Sequence, residues 1–139
     1  MGLSPEVWGR EAWHFIHLVA LTYPPQPSEE QKKEYLLFFE SLGNTLPCGV
    51  CAAHYREKIK NTPPKLESQT ELFNWTVDIH NSVNQDNGKK QYTYKQALYE
   101  INKNMKNKPV YSDYLVTGVA VSVSIITMIS LFAYSLRKR

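Results

Sequence analysis

The 139-residue chain holds two cysteines. That scarcity excludes a scaffold stapled by several disulfides and a zinc site closed by two Cys-x-x-Cys pairs. No stretch alternates apolar and polar residues long enough to mark a strand, so no sheet is expected. No glycine-rich phosphate loop occurs, and Ser, His and Asp show no hydrolytic arrangement. The leading residues Met1-Gly2-Leu3-Ser4-Pro5-Glu6 lack the basic flank and apolar stretch of a secretory signal, and Glu6 stands where a myristoylation signal needs Ser or Thr. Excess charge is also missing where it would matter. The net charge is +3, but all 13 acidic residues lie before Leu115 with 13 of the 16 basic ones, leaving Arg137, Lys138 and Arg139 as the whole surplus. A nucleic-acid partner is not expected.

One long uncharged run is present, from Leu115 to Leu136. As a helix it is long enough to cross a bilayer core of roughly 30 Å. The basic triplet after it reads as a stop at the headgroups. The expected organisation is a domain over 1-108, a linker over 109-114, a transmembrane helix over 115-136 and a basic tail over 137-139. With a single carboxy-terminal span, the domain is expected on the cytosolic face, where a dithiol stays reduced unless something oxidises it.

The domain reads as all-α. Ser4-Pro5-Glu6 opens a first helix with a capping hydroxyl, ended by Tyr23-Pro24-Pro25. Ser28 to Gln31 is a capping box for a second helix, expected to stop at Gly43. A third helix starts at the cysteines and ends at Asn61-Thr62-Pro63-Pro64. Ser68 to Glu71 opens a fourth, with Leu72, Trp75, Ile79 and Val83 on its buried face. Thr93 and Gln96 cap a shorter fifth helix closed by Pro109.

Three groups of residues carry the chemistry. In Pro47-Cys48-Gly49-Val50-Cys51 the proline favours a helix start, so Cys48 sits near the positive end of the helix dipole and Cys51 one turn on. Such a position stabilises thiolate and raises reactivity. Arg10, Trp13 and His17 share one stripe of the first helix, a face suited to a flat aromatic ligand with charged substituents and equally open to a core histidine beside a core tryptophan. On the fourth helix Asn84 lies a turn from both His80 and Asn81, at positions where helix propensity does not select asparagine. The cysteines themselves leave three readings: a redox-active dithiol, half of a zinc site with His54 and a further ligand such as His80, or a buried pair without chemistry.

The chain resembles the Erv/ALR family of FAD-linked sulfhydryl oxidases, most of all the short forms encoded by large DNA viruses. The resemblance rests on Trp8-Gly9-Arg10-Glu11-Ala12-Trp13 with His17 and Tyr23-Pro24, on Pro47 to Cys51, on Leu72-Phe73-Asn74-Trp75 with His80-Asn81-Ser82-Val83-Asn84, and on Gly88-Lys89 with Tyr92. It implies a four-helix bundle with a short fifth helix, holding FAD non-covalently. By matching position, Cys51 would face the flavin and Cys48 would exchange with substrate. Gly9, Arg10, Trp13, His17, Tyr23, Trp75, His80, Asn81, Val83, Asn84, Lys89 and Tyr92 would line the cofactor site, with no metal. The implied reaction passes electrons from thiols through Cys48 and Cys51 to FAD and then to O2, giving hydrogen peroxide. A homodimer built on the first helices is implied as well.

Two features depart from the family pattern. No second cysteine pair exists to relay electrons, so the substrate, expected to be a small thioredoxin-like or Cys-x-x-Cys carrier, must reach Cys48 directly. Val77 and Tyr94 stand where many relatives place a structural disulfide, so packing must replace that brace. The competing reading from another class is a membrane-anchored helical interaction module whose cysteines bind zinc or merely pack. A cofactor-free disulfide carrier would want a thioredoxin-like fold, and the strands for it are missing.

Overall fold

The structure, a computed structural model, describes residues 2–106, and the helical core lies within the compact unit that ends at Ile101. The described residues form five helices and no strand: α1 (Pro5–Leu21), α2 (Glu29–Thr45), α3 (Gly49–Asn61), α4 (Gln69–Asp86) and α5 (Tyr94–Lys106). No helix among them is long and apolar enough to cross a membrane. The expected transmembrane helix over 115-136 lies outside the described residues, as do the linker and basic tail.

Local chemistry accounts for the helix starts, with one exception. Ser28 and Gln31 form the reciprocal capping box, Ser68 accepts the amide of Glu71, and Thr93 exchanges bonds with Gln96. Ser4 makes no side-chain cap; its hydroxyl donates to the Glu6 carboxylate instead. One helix end also differs from expectation. Gly43 does not stop α2, which continues to Thr45. The glycine is there for space: a Cβ at residue 43 would lie 2.5 Å from Cγ of Arg56. Arg56 lies across it and donates to the Gly43 carbonyl, one of the last-turn carbonyls that α2 cannot satisfy within itself. That contact fixes α3, and with it the cysteines, against the end of α2.

The packing partners are α1 with α4, α2 with α3, and α3 with α4, so α4 is shared by both halves of the bundle. Its inward residues Leu72, Trp75, Val77 and Ile79 are buried, with Phe39 of α2, Tyr55 of α3 and Ile101 of α5. Phe39 meets Trp75 edge-on at 5.0 Å, and Tyr55 donates to the Phe39 carbonyl. Burying an aromatic ring of this size removes roughly 150–250 Å² from water, worth about 4 to 6 kcal/mol before entropy is counted. The aromatic core therefore sets the helix spacing on which both candidate sites depend.

Of the two residues standing where many relatives place a structural disulfide, Val77 is buried in the core, and Tyr94, exposed at the start of α5, donates its hydroxyl to Asp78 at 2.9 Å.

Candidate active site

Cys48 is the N-cap of α3 with extended backbone, and Cys51 lies in the first turn. The two close a disulfide with Cα atoms 5.2 Å apart. The Cys51 amide points back at Sγ of Cys48 at 3.2 Å. A helix N-terminus and a directed N–H both favour negative charge, so the sulfur of Cys48 is placed to leave as a thiolate. His54 is exposed one turn on. Among the described residues no three His, Cys, Asp or Glu side chains are grouped to hold a metal.

The segment before α1 runs along this turn, a contact no motif announces. Leu3 donates its amide to the Pro47 carbonyl at 2.8 Å, and Trp8 donates its indole N–H to the Leu3 carbonyl. Gly2 approaches so closely that a Cβ would stand 3.2 Å from Cα of Cys48.

The second cluster sits where α1 meets α4. Trp13 and His80 stack with ring centres 4.2 Å apart and planes 5° from parallel. His17 is buried behind them, with Nε2 3.0 Å from Nδ1 of His80 and Nδ1 2.9 Å from the hydroxyl of Thr76. Burial and the neighbouring His80 and His14 hold the His17 pKa down at about 3. Burial and the nearby Lys89 bring that of His80 to about 4. Both rings are therefore neutral at physiological pH. Thr76 is wholly buried, and no sequence motif marks it: its place four residues before His80 is visible in the sequence, but its bond to α1 is not.

The asparagines serve the loop after α4. Asn81 clamps Tyr92 by two bonds of 2.8 Å, donating to its carbonyl and accepting its amide. Asn84 donates its side chain to the Lys90 carbonyl and its carbonyl accepts the Lys89 amide at 2.7 Å. Gly88 takes the left-handed φ of 62° that lets the chain reverse there. The clamp leaves Tyr92 half-buried under the Lys90 ammonium, 5.2 Å from the ring centre.

The remaining expected site residues fall in different surroundings. Arg10 is exposed, and a side chain at Gly9 would meet nothing within 4 Å. Val83 is half-buried on α4. Tyr23 and Trp75 are each 1% exposed, and each donates to a backbone carbonyl, of Leu66 and Thr62 respectively. These two hold the bundle together. Trp13, His17 and His80 are brought to one place, where Trp13 and His80 offer a flat aromatic surface and a neutral imidazole to a heteroaromatic ligand, and the charge of Lys89 is felt at His80.

The sequence pattern of the Erv1 / Alr family matches residues 10–108. A probable FAD-linked sulfhydryl oxidase, R368, of Acanthamoeba polyphaga mimivirus is 44% identical over 109 residues, which cover 76% of each chain. The mitochondrial FAD-linked sulfhydryl oxidase ERV1 of Saccharomyces cerevisiae is 38% identical over 79 residues, 57% of this chain and 42% of the yeast protein. The present chain thus spans less than half of that cellular relative. The crystal structure of the FAD-binding domain of the yeast protein superposes with a TM-score of 0.65 at 33% identity, covering 67% of this chain and 89% of that domain.

The imidazole pair makes stability depend on pH. Both rings bind protons more weakly folded than unfolded, so acid favours the unfolded chain. Their contribution is complete above about pH 6.5 and is lost as pH falls towards about 4 for His80 and about 3 for His17. The slope is up to about 1.4 kcal/mol per pH unit for each ring. Urea denaturation between about pH 6.5 and 5, above the carboxylate range, should show the midpoint falling. A midpoint constant over that window, or one that falls equally in a His17→Gln variant, contradicts the assignment.

Proposed function

The chain belongs to the Erv1/Alr family, and from that premise we propose that it is an FAD-linked sulfhydryl oxidase that makes disulfides in protein substrates. The observation that carries the reading is the closed Cys48–Cys51 bridge at the head of α3, in a chain with no further cysteine to oxidise it. The acceptor must then be something other than a second disulfide of this chain. The residues present fit a flavin dinucleotide. The parallel Trp13–His80 pair offers a surface for flat rings, and Lys89, whose charge is felt at His80, offers a cation for a diphosphate. Trp13, His17, His80 and Lys89 would hold the cofactor, with Asn81, Asn84, Val83 and Tyr92 shaping the loop and helix face around it.

The protein's part in the chemistry follows from the cysteine turn. A substrate thiolate attacks Sγ of Cys48, forming a mixed disulfide and releasing Cys51 as a thiolate near the helix N-terminus. A second substrate thiolate then attacks the substrate sulfur of that mixed disulfide. Cys48 leaves as a thiolate, with the Cys51 N–H already directed at its sulfur. The substrate departs as a disulfide and the chain is left with the reduced pair. When bound, FAD would supply the two-electron acceptor that restores the bridge, with O2 as the final acceptor and hydrogen peroxide as the product. The exposed residues beside Cys48, Pro47, Gly49 and Val50, leave room for a protein dithiol to approach without a relay arm. A small thioredoxin-like or Cys-x-x-Cys carrier meets that requirement.

Cys51→Ser should retain flavin absorbance while dithiol-dependent oxygen uptake falls by about a hundredfold or more. Undiminished turnover in that variant contradicts the role of Cys51.

The uncharged run over 115-136 supports a membrane anchor, in a virion or host membrane if the chain is viral like its mimivirus relative. Val7 and Phe15 on α1 and Leu37 on α2 are more than half exposed, which supports a homodimer built on the first helices. Alkaline carbonate should leave the full chain with the membranes, and in detergent it should have twice the monomer mass. Release into the supernatant contradicts the anchor, and a monomer contradicts the dimer.

A further inference from the structure

The hydrogen bonds around His17 form a chain whose direction can be worked out from its buried end. The hydroxyl of Thr76 has one hydrogen, and its oxygen lies 2.7 Å from the Phe73 carbonyl. Two oxygens that close must share a hydrogen, because lone pairs facing each other at that distance repel. The hydroxyl therefore donates to Phe73, and towards His17 it can only accept. Nδ1 of His17, 2.9 Å away, must carry the hydrogen. A neutral imidazole with its hydrogen on Nδ1 has a lone pair on Nε2. That lone pair faces Nδ1 of His80 at 3.0 Å, so His80 must donate through Nδ1. The last atom of the series, Nε2 of His80, is left with a lone pair. No other described residue bonds it, and the half-buried ring is held flat against Trp13.

We propose that Thr76 is a positioning residue that locks both imidazoles in the Nδ1–H form, so that His80 presents a hydrogen-bond acceptor to the bound dinucleotide. The proposal rests on the flavin reading for the identity of that ligand and goes beyond it in assigning the tautomers and the residue that sets them. Free histidine favours the opposite, Nε2–H form, so the lock does work that the rings would not do alone. Reversing the series would turn Nε2 of His80 into a donor. An N–H or O–H of the ligand at that point would then meet another N–H, and the bond would be replaced by a repulsive contact. The Thr76 hydroxyl bonds His17 and the Phe73 carbonyl, so it acts on His80 through His17.

The test reads the tautomers directly. Long-range proton–nitrogen correlation spectra of the full-length, nitrogen-labelled protein at neutral pH should show both His17 and His80 with a protonated Nδ1 and a bare Nε2. Either ring found in the Nε2–H form overturns the lock, whether or not flavin is bound. Thr76→Val preserves shape and removes the acceptor. It should shift both rings towards Nε2–H and weaken FAD binding, measured by flavin fluorescence, about tenfold. Thr76→Ser should restore both properties. Weakened binding with unchanged tautomers would mean that Thr76 acts by packing alone, which overturns the proposal. Should the valine variant not fold, the wild-type spectrum and the serine variant still decide it. A protein with the stated tautomers and no affinity for FAD would leave the lock standing and refute the flavin reading.

Discussion

The contact between α1 and α4 is the constraint on which the rest of the site depends. Aliphatic residues would pack there at lower cost, since two imidazoles must be stripped of water. The cost is offset because every buried polar atom finds a partner: His80 bonds His17, His17 bonds Thr76, and Thr76 bonds the backbone of its own helix. The result is a polar series with a fixed direction inside the interface between the two helices. It ends at a ring stacked on Trp13, which turns a helix-packing contact into a recognition surface.

The cysteine turn is positioned by different means. Arg56 spans from α3 to the end of α2 over Gly43, Tyr55 bonds the Phe39 carbonyl, and Phe39 meets Trp75 of α4. Each link joins a polar group to a backbone carbonyl or an aromatic edge to a ring. Such contacts are directional, and they hold the head of α3 in register with α4. The two clusters are thus coupled through one helix: α4 carries Thr76 and His80 on one side and Trp75 on another. Redox chemistry needs the electron donor and acceptor kept in a constant relation, and a shared rigid helix is the simplest way to provide it.

Much of this architecture was legible in the residues because it is locally determined. Ser28 with Gln31 and Thr93 with Gln96 announce helix starts through bonds made within four residues, and the structure makes those bonds. Pro47 before Cys48 announces α3 in the same way. Gly43 misled because the reason for it is remote: it makes room for an arginine thirteen positions on, which local sequence cannot show. Ser4 misled because Glu6 competes for its hydroxyl. Asn81 and Asn84 stood out as poor helix formers, which was the right signal, but their amides are spent on the 88–92 loop and act on the site through it. Tyr23 and Trp75, expected along the cofactor site, are buried in the core with their polar atoms engaged. Thr76 escaped notice because a threonine on an apolar face is ordinary until its partner on another helix is known.

The central claim is that the disulfide at the head of α3 and a flavin held by the bundle form one electron path. The most direct test is the visible absorption spectrum of the purified full-length protein, recorded under nitrogen before and after a dithiol and again in air. The account predicts a flavin spectrum that bleaches with the dithiol and returns on exposure to oxygen. A protein from a flavin-replete host that carries no flavin, or one whose bound flavin is untouched by the dithiol, would contradict it.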